Sequence, residues 1–277
     1  MNTCDKCHAK EVNGKPAYST EIAKTEAACN DCHDMDSRKF AQENPSDETA
    51  DVHFARGMRC MECHSAREIH GDGKLYDSMR APGATDARCE NCHKDLSKCP
   101  ASAVHHGKLD CSACHVRKIT SCYNCHVDTL ISEGKEVSLP LQDTLFLINY
   151  NGKVTPASLH TFIYQNKTMI VFAPAFSHWI MKGGRKCADC HATPAIQQMQ
   201  TGSFKLVVWN KTGLKNVTGI IPVLEGFRWD FPFSNYVNGE WVPTENAAQP
   251  LLNYSGYSKP ITREQIAKLA RRQSTKP

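Results

Sequence analysis

Fourteen of the fifteen cysteines in this 277-residue chain fall into one repeated pattern, Cys-x-x-Cys-His. The copies pair Cys4 and Cys7 with His8, Cys29 and Cys32 with His33, Cys60 and Cys63 with His64, Cys89 and Cys92 with His93, Cys111 and Cys114 with His115, Cys122 and Cys125 with His126, and Cys187 and Cys190 with His191. Two thiols three positions apart can each form a thioether to one haem vinyl group while the adjacent histidine turns its imidazole onto the iron. A lone copy would also suit a redox dithiol or half of a zinc site. Seven copies of identical spacing favour seven haems c, each with its motif histidine as proximal ligand.

The six remaining histidines, His53, His70, His105, His106, His160 and His178, are candidates for the distal side of the irons. In an ordinary protein each would be a solvent or core histidine. Here His53 and His70 flank the third motif, and adjacent His105 and His106 on an extended segment would point to opposite sides and serve two irons. Seven irons against six imidazoles leave one site to be completed in another way. A methionine (Met35, Met58, Met61, Met79, Met169 or Met181) gives a carrier of raised potential, an open iron permits small-molecule chemistry, and a histidine from another subunit gives a polymer. Cys99, the unmatched thiol, reads as a buried free cysteine, with a role near an open iron as the alternative, and Lys98 beside it is either a surface lysine or a ligand.

These residues need elements to position them. Seven haems leave about forty residues each, too few to wrap every macrocycle in its own protein core, so the expected fold is a multihaem cytochrome c arrangement in which the haems are much of the core. Mostly loops and short helices would surround a packed haem chain. Motif spacing suggests three regions: residues 1–128 with six motifs, 129–195 with an insertion and the seventh, and a haem-free tail over 196–277. Only six residues separate His115 from Cys122, which makes those two haems immediate neighbours. Thr144–Ile148, Leu159–Tyr164 and Thr168–Phe172 are β-branched and aromatic runs separated by Asn151-Gly152 and Asn166-Lys167, the pattern of a small antiparallel meander near 144–172. The meander would deliver His160 and His178 backwards to distant haems. Phe204–Trp209 suggests a further strand. Thr262 and Gln265 form a capping box, with Ile261 and Ile266 as a staple and Arg271-Arg272 at the far end, so a C-terminal helix is expected.

Thioether attachment normally follows export, which points to an extracytoplasmic chain, on the cell surface or beyond it, with the periplasm as the alternative. No signal peptide precedes Cys4, so a mature or truncated chain is expected. No run of 18 apolar residues is present to span a membrane. The formal charge of +4 would be reversed by haem propionates, so the lysines carry no nucleic-acid implication. Sequons at Asn166, Asn210, Asn216 and Asn253 would admit glycosylation in a competent host.

Several stretches resemble a group of multihaem c-type cytochromes from bacteria and archaea that respire metals, minerals or sulfur and nitrogen oxyanions. They are Asp51 to Cys60, Glu68 to Gly73, His105 to Cys111, Ser121 to His126, Leu145 to Lys153, Phe176 to His178 and Arg185 to Cys187. The group includes extracellular cytochromes that polymerise into conductive filaments and octahaem enzymes similar to tetrathionate reductase and hydroxylamine oxidoreductase. The resemblance implies bis-histidine irons in the first case and one open or lysine-ligated iron in the second. This chain departs from the octahaem pattern in having seven motifs and no lysine in place of a motif histidine. The expected function is long-range electron transfer between redox-protein donors and extracellular acceptors, with end-to-end homopolymerisation as the favoured assembly. The alternative is a multihaem reductase of a sulfur or nitrogen oxyanion. A passive haem store is disfavoured, because thioether attachment resists release.

Overall fold

The computed structural model describes residues 4–30, 33, 51–96, 99, 104–105, 107–165, 167–199, 203–210, 213–237, 239–244 and 249–265. Two compact units emerge, one formed by residues 1–94 with 178–182 and the other by 95–177 with 183–277. The division falls after Lys94, and residues 178–182 return to the first unit.

The N-terminal unit is built from short pieces. After the first motif, β1 (Ala9–Val12) and β2 (Lys15–Tyr18) form a hairpin turned at Asn13-Gly14, both at positive φ as a tight two-residue turn requires. Helical turns follow at Thr20–Ala23, Glu26–Asn30, Ala66–His70 and Cys89–Cys92. Among the described residues, the buried apolar side chains of this unit are Ala28 and Ala84. Leu75 and Ile69 stand exposed. Two alanines exclude too little water to hold the unit together by side-chain burial.

The second unit carries a conventional core. Its strands are β3 (Cys122–His126), β4 (Leu139–Pro140), β5 (Thr144–Tyr150), β6 (Lys153–Tyr164), β7 (Lys167–Pro174), β8 (Ser203–Lys205), β9 (Val207–Asn210), β10 (Gly213–Asn216), β11 (Gly219–Pro222), β12 (Arg228–Asp230), β13 (Ser234–Val237), β14 (Glu240–Pro243), β15 (Leu251–Tyr254) and β16 (Ser258–Lys259). Strands β5, β6 and β7 form an antiparallel meander with Asn151 and Gly152 at positive φ in its first turn. The meander belongs to an eight-stranded sheet in which β3 lies parallel to β6, β11 parallel to β5 and β15 parallel to β7. Non-local pairing thus makes the sheet larger than the three runs suggest. The run Phe204–Trp209 is broken into β8 and β9.

Strand β5 is buried along Thr144–Ile148 because it faces two cores. Phe146 and Ile148 enter the larger one with Leu159, Phe172, Phe204 and Ile221, and Trp229 packs against Phe172 with ring centroids 5.0 Å apart. Leu145 and Leu147 enter a smaller core with Ala113 and Val154, against which Cys190 packs. Ala113 belongs to the fifth motif and Cys190 to the seventh, so one face of the sheet is the platform on which both motifs sit. At the C-terminal end, Thr262 N–H donates to Gln265 Oε1 and Gln265 N–H to Thr262 Oγ1, at 2.9 and 3.2 Å. Ile266 and Arg271-Arg272 lie outside the described residues. The Asn216 amide is committed internally, donating to the Gln142 carbonyl, Thr144 Oγ1 and the Val217 carbonyl. The side chains of Asn166 and Asn210 lie outside the described residues.

Candidate axial-ligand sites

Among the described residues, five of the seven motifs form a helical turn, and in the second the closing hydrogen bond of such a turn is described. The histidine N–H donates to the carbonyl of the first cysteine for His8, His33, His64 and His93, at 2.9 to 3.0 Å, and the fifth and seventh motifs are the helices Cys111–His115 and Cys187–His191. A turn of this kind brings positions i, i+3 and i+4 onto one side of the backbone, where two thiols and an imidazole can address one macrocycle. Asp110 caps the fifth motif, its carboxylate accepting from Ser112 N–H at 2.9 Å. Cys32 lies outside the described residues.

Four motif histidines each stand opposite a histidine from outside the motifs. Ring centroids are 6.0 Å apart for His8 and His70, 6.0 Å for His93 and His53, 6.1 Å for His64 and His178, and 6.3 Å for His191 and His105. Every pair joins one motif residue to one other. Two imidazoles bound through opposite faces of one metal, with metal–nitrogen bonds of about 2 Å, have ring centres roughly 6 Å apart whatever the angle between their planes. Rings in direct van der Waals stacking lie closer. Among the described residues no group of three or more His, Cys, Asp or Glu is gathered to hold a metal. A macrocycle that brings its own four nitrogens asks the protein for two axial donors, and the four pairs have that composition.

The elements that deliver these histidines are pinned by buried acids. Asp51 accepts from the N–H groups of His53 and Phe54 at 2.8 and 3.0 Å and from Ile180 N–H at 2.8 Å. One carboxylate thereby ties the segment carrying His53 to the segment carrying His178. Glu68, whose side chain is 1% exposed, reaches His64 Nδ1 at 2.7 Å. Arg67 forks onto Asp86 and also reaches Asp72 and the carbonyls of Gly83 and Ala84, fixing the loop ahead of the fourth motif. Asp51 and Glu68 were not among the expected ligands or their supports. Glu68 has a legible signal, since it lies only four residues after a motif histidine, close enough along the chain for the two side chains to meet.

Neighbouring motifs approach through their thiols. Cys29 is pushed up to about 11, first by burial and then by Cys60, with which it shares a hydrogen bond, and by Cys7. Cys63 is raised by burial and then by Cys92. These contacts link motifs one to four. In the second unit Cys190 is pushed up to about 11 by burial and by Cys114, so motifs five and seven are neighbours. Arg185 joins them, its N–H donating to the Cys114 carbonyl at 3.0 Å and its guanidinium to the carbonyls of Val116 and Arg117 at 2.6 and 3.0 Å. At Gly184 the chain passes close to the fifth motif, and a Cβ there would lie 3.3 Å from the His115 ring, which would have to give by a few tenths of an ångström. Cys99 stands close enough to Cys114 to raise its thiol further.

The sixth motif is folded differently. Cys122–His126 is a strand, and a bulge at Asn124, φ 64°, inserts one residue relative to β6. Cys122 pairs with His160 and Cys125 with Phe162, whereas His126 pairs with Ile163. Both thiols therefore share a face with His160 while the His126 ring lies on the opposite face, where Nε2 donates to the Ser234 carbonyl at 2.9 Å. Asn124 holds the bulge, with its N–H on Thr161 Oγ1 and its side chain bridging Ser234. Donors split across a sheet do not suit thioether attachment and axial ligation of one haem, and in this the sixth motif differs from the others. His106 and Lys98 lie outside the described residues, as does Met35.

No family model matches the chain, and no solved structure matches it. A distant likeness is found to the dissimilatory sulfite reductase MccA of Wolinella succinogenes, 24% identical over a stretch covering 45% of this chain and 20% of the relative. The chain thus aligns with about a fifth of that protein's length.

Proposed function

We propose that this chain is an electron-transfer module carrying covalently attached haems c, most of them ligated by two histidines. The four motif-to-distal histidine pairs at 6.0 to 6.3 Å carry this reading. His8 with His70, His93 with His53, His64 with His178 and His191 with His105 would hold the irons, and the motif cysteines would tether the macrocycles. Haem iron with both axial positions filled supplies reversible one-electron chemistry and leaves no position for substrate. The chain contributes the rest. Paired imidazoles exclude exogenous ligands, buried acids hold those imidazoles in place, and the close approach of thiols in motifs one to four would keep successive macrocycles near one another. Redox-protein donors and an extracytoplasmic location follow from the same reading, since attachment of this kind accompanies export.

A second reading, a reductase of a sulfur oxyanion, is favoured by the likeness to a dissimilatory sulfite reductase. It requires one iron with an open distal side, supplied with electrons by the others.

One set of measurements separates these readings. Intact mass and pyridine haemochrome spectra of the matured protein give the number of covalent haems, and EPR with carbon monoxide binding to the reduced protein gives the number of open irons. Low-spin, CO-inert iron throughout supports the module. A high-spin iron that binds carbon monoxide and turns over sulfite, before and after any assembly is dissociated, makes the chain a reductase. A site that opens only on dissociation places the missing ligand on a second copy and makes the chain a polymer subunit. Absence of covalent haem overturns all three.

A further inference from the structure

We propose that Glu68 is a redox-tuning residue, which lowers the potential of the centre held by His64 and His178 by making His64 the stronger electron donor. This rests on the reading of those two histidines as axial ligands. The geometry is that of a carboxylate behind a metal-binding imidazole. Glu68 Oε2 lies 2.7 Å from His64 Nδ1, so the ring nitrogen that faces away from the metal position donates to an acid. Such a partner fixes the tautomer and raises the basicity of the ligating nitrogen. A more basic axial ligand favours ferric over ferrous iron, and the potential falls.

Three observations set Glu68 apart from an ordinary helix-surface acid. Its side chain is 1% exposed, so the carboxylate end of the hydrogen bond is shielded from water even though the His64 ring is half-buried. Its second oxygen accepts the Asp86 N–H at 2.6 Å, so both oxygens are occupied as acceptors, the role of an ionised carboxylate. The neighbouring guanidinium of Arg67 is turned away onto Asp86, Asp72 and two carbonyls, which leaves the charge of Glu68 directed at His64. His53 offers the contrast. Its Nδ1 is 3.5 Å from Asp51 Oδ1, beyond a good hydrogen bond, and Asp51 serves backbone amides instead.

The test is Glu68→Gln in the full, haem-loaded chain, which keeps the shape and removes the charge. Haem number is counted by intact mass, midpoints are read by spectroelectrochemical titration and the ferric low-spin signals by EPR. The expected result is an unchanged haem number with one midpoint raised and one low-spin signal altered, the others unmoved. The double variant Cys60→Ala/Cys63→Ala identifies that midpoint, because it should remove one haem and the same component. If the double variant loses no haem, the axial-ligand reading itself fails. If the haem is lost as expected but Glu68→Gln leaves every midpoint where it was, Glu68 is only structural and the proposal is overturned. Should Glu68→Gln yield no folded protein, Glu68→Asp keeps the charge but withdraws it from His64, and a raised midpoint is again required.

Discussion

The two units solve opposite packing problems. In the second, Phe146, Leu159, Phe172, Phe204 and Ile221 surround one another in a core that needs nothing beyond the polypeptide. In the first, the buried apolar side chains among the described residues are two alanines, too few to make a core, and the other buried groups are acids, Asp51 and the side chain of Glu68, that orient histidines. The difference teaches where a cofactor would have to substitute for side chains. If the short helices of the N-terminal unit serve haem attachment, as proposed, few are left to bury apolar surface, and porphyrin would supply what the second unit obtains from Phe and Leu.

The largest expected effect breaks this comparison outright. When haem attachment is prevented, by expression without maturation machinery, amide exchange should become fast throughout residues 4–94 and stay slow in β5, β6 and β7. Equal protection of both units would refute the contrast. Next, Phe172→Ala should destabilise the second unit by about 3–5 kcal/mol, the cost of emptying a buried aromatic site. Denaturant unfolding followed by tryptophan fluorescence measures this, and the haems of the N-terminal unit should keep their spectra. A smaller, local effect is expected of His70→Ala, which should open one iron at His8. About one equivalent of carbon monoxide per chain would then bind the reduced protein, with haem number unchanged. Counting haems sharpens the comparison further: the six motifs outside β3 predict six mass increments, and a seventh would mean that β3 is remade when its cysteines react.

The smallest effect is acid sensitivity. Asp86 is held at about 2, by the Arg67 hydrogen bond first and the Ser65 hydroxyl next, below an ordinary aspartate near 3.8. A carboxylate lowered in this way stabilises the fold above its unfolded value, and that support is lost as pH falls from about 4 toward 2. The pair is partly exposed, so the contribution is modest. Asp86→Asn should abolish this part of the acid dependence in the haem absorbance of the N-terminal unit, while leaving the second unit's transition in place.

Much of the site was legible in the sequence because it is local. The spacing of the motifs, the meander turned at Asn151-Gly152 and the box at Thr262 and Gln265 all depend on residues within a few positions of one another. The pairing of His178 with His64 or of His105 with His191 was not, since it is set by approach through space across many residues. The sixth motif shows the limit of a local pattern. Cys122–His126 has the same spacing as the other six, yet Thr161, Ser234 and the edge of β6 draw it into a sheet. The parallel strands β11 and β15 are not legible in the sequence for the same reason, as their partners β5 and β7 lie far back in the chain.

The Asp51 clamp imposes an order in time. Its grip on Ile180 joins segments that emerge from synthesis far apart, with residues 95–177 appearing between them. The N-terminal unit cannot close until that whole stretch has passed and His178 has arrived. Its first four motifs would therefore meet their haems while the unit is still unfinished, when their cysteines are accessible to the attachment machinery, and the late-arriving segment would shut the site behind them.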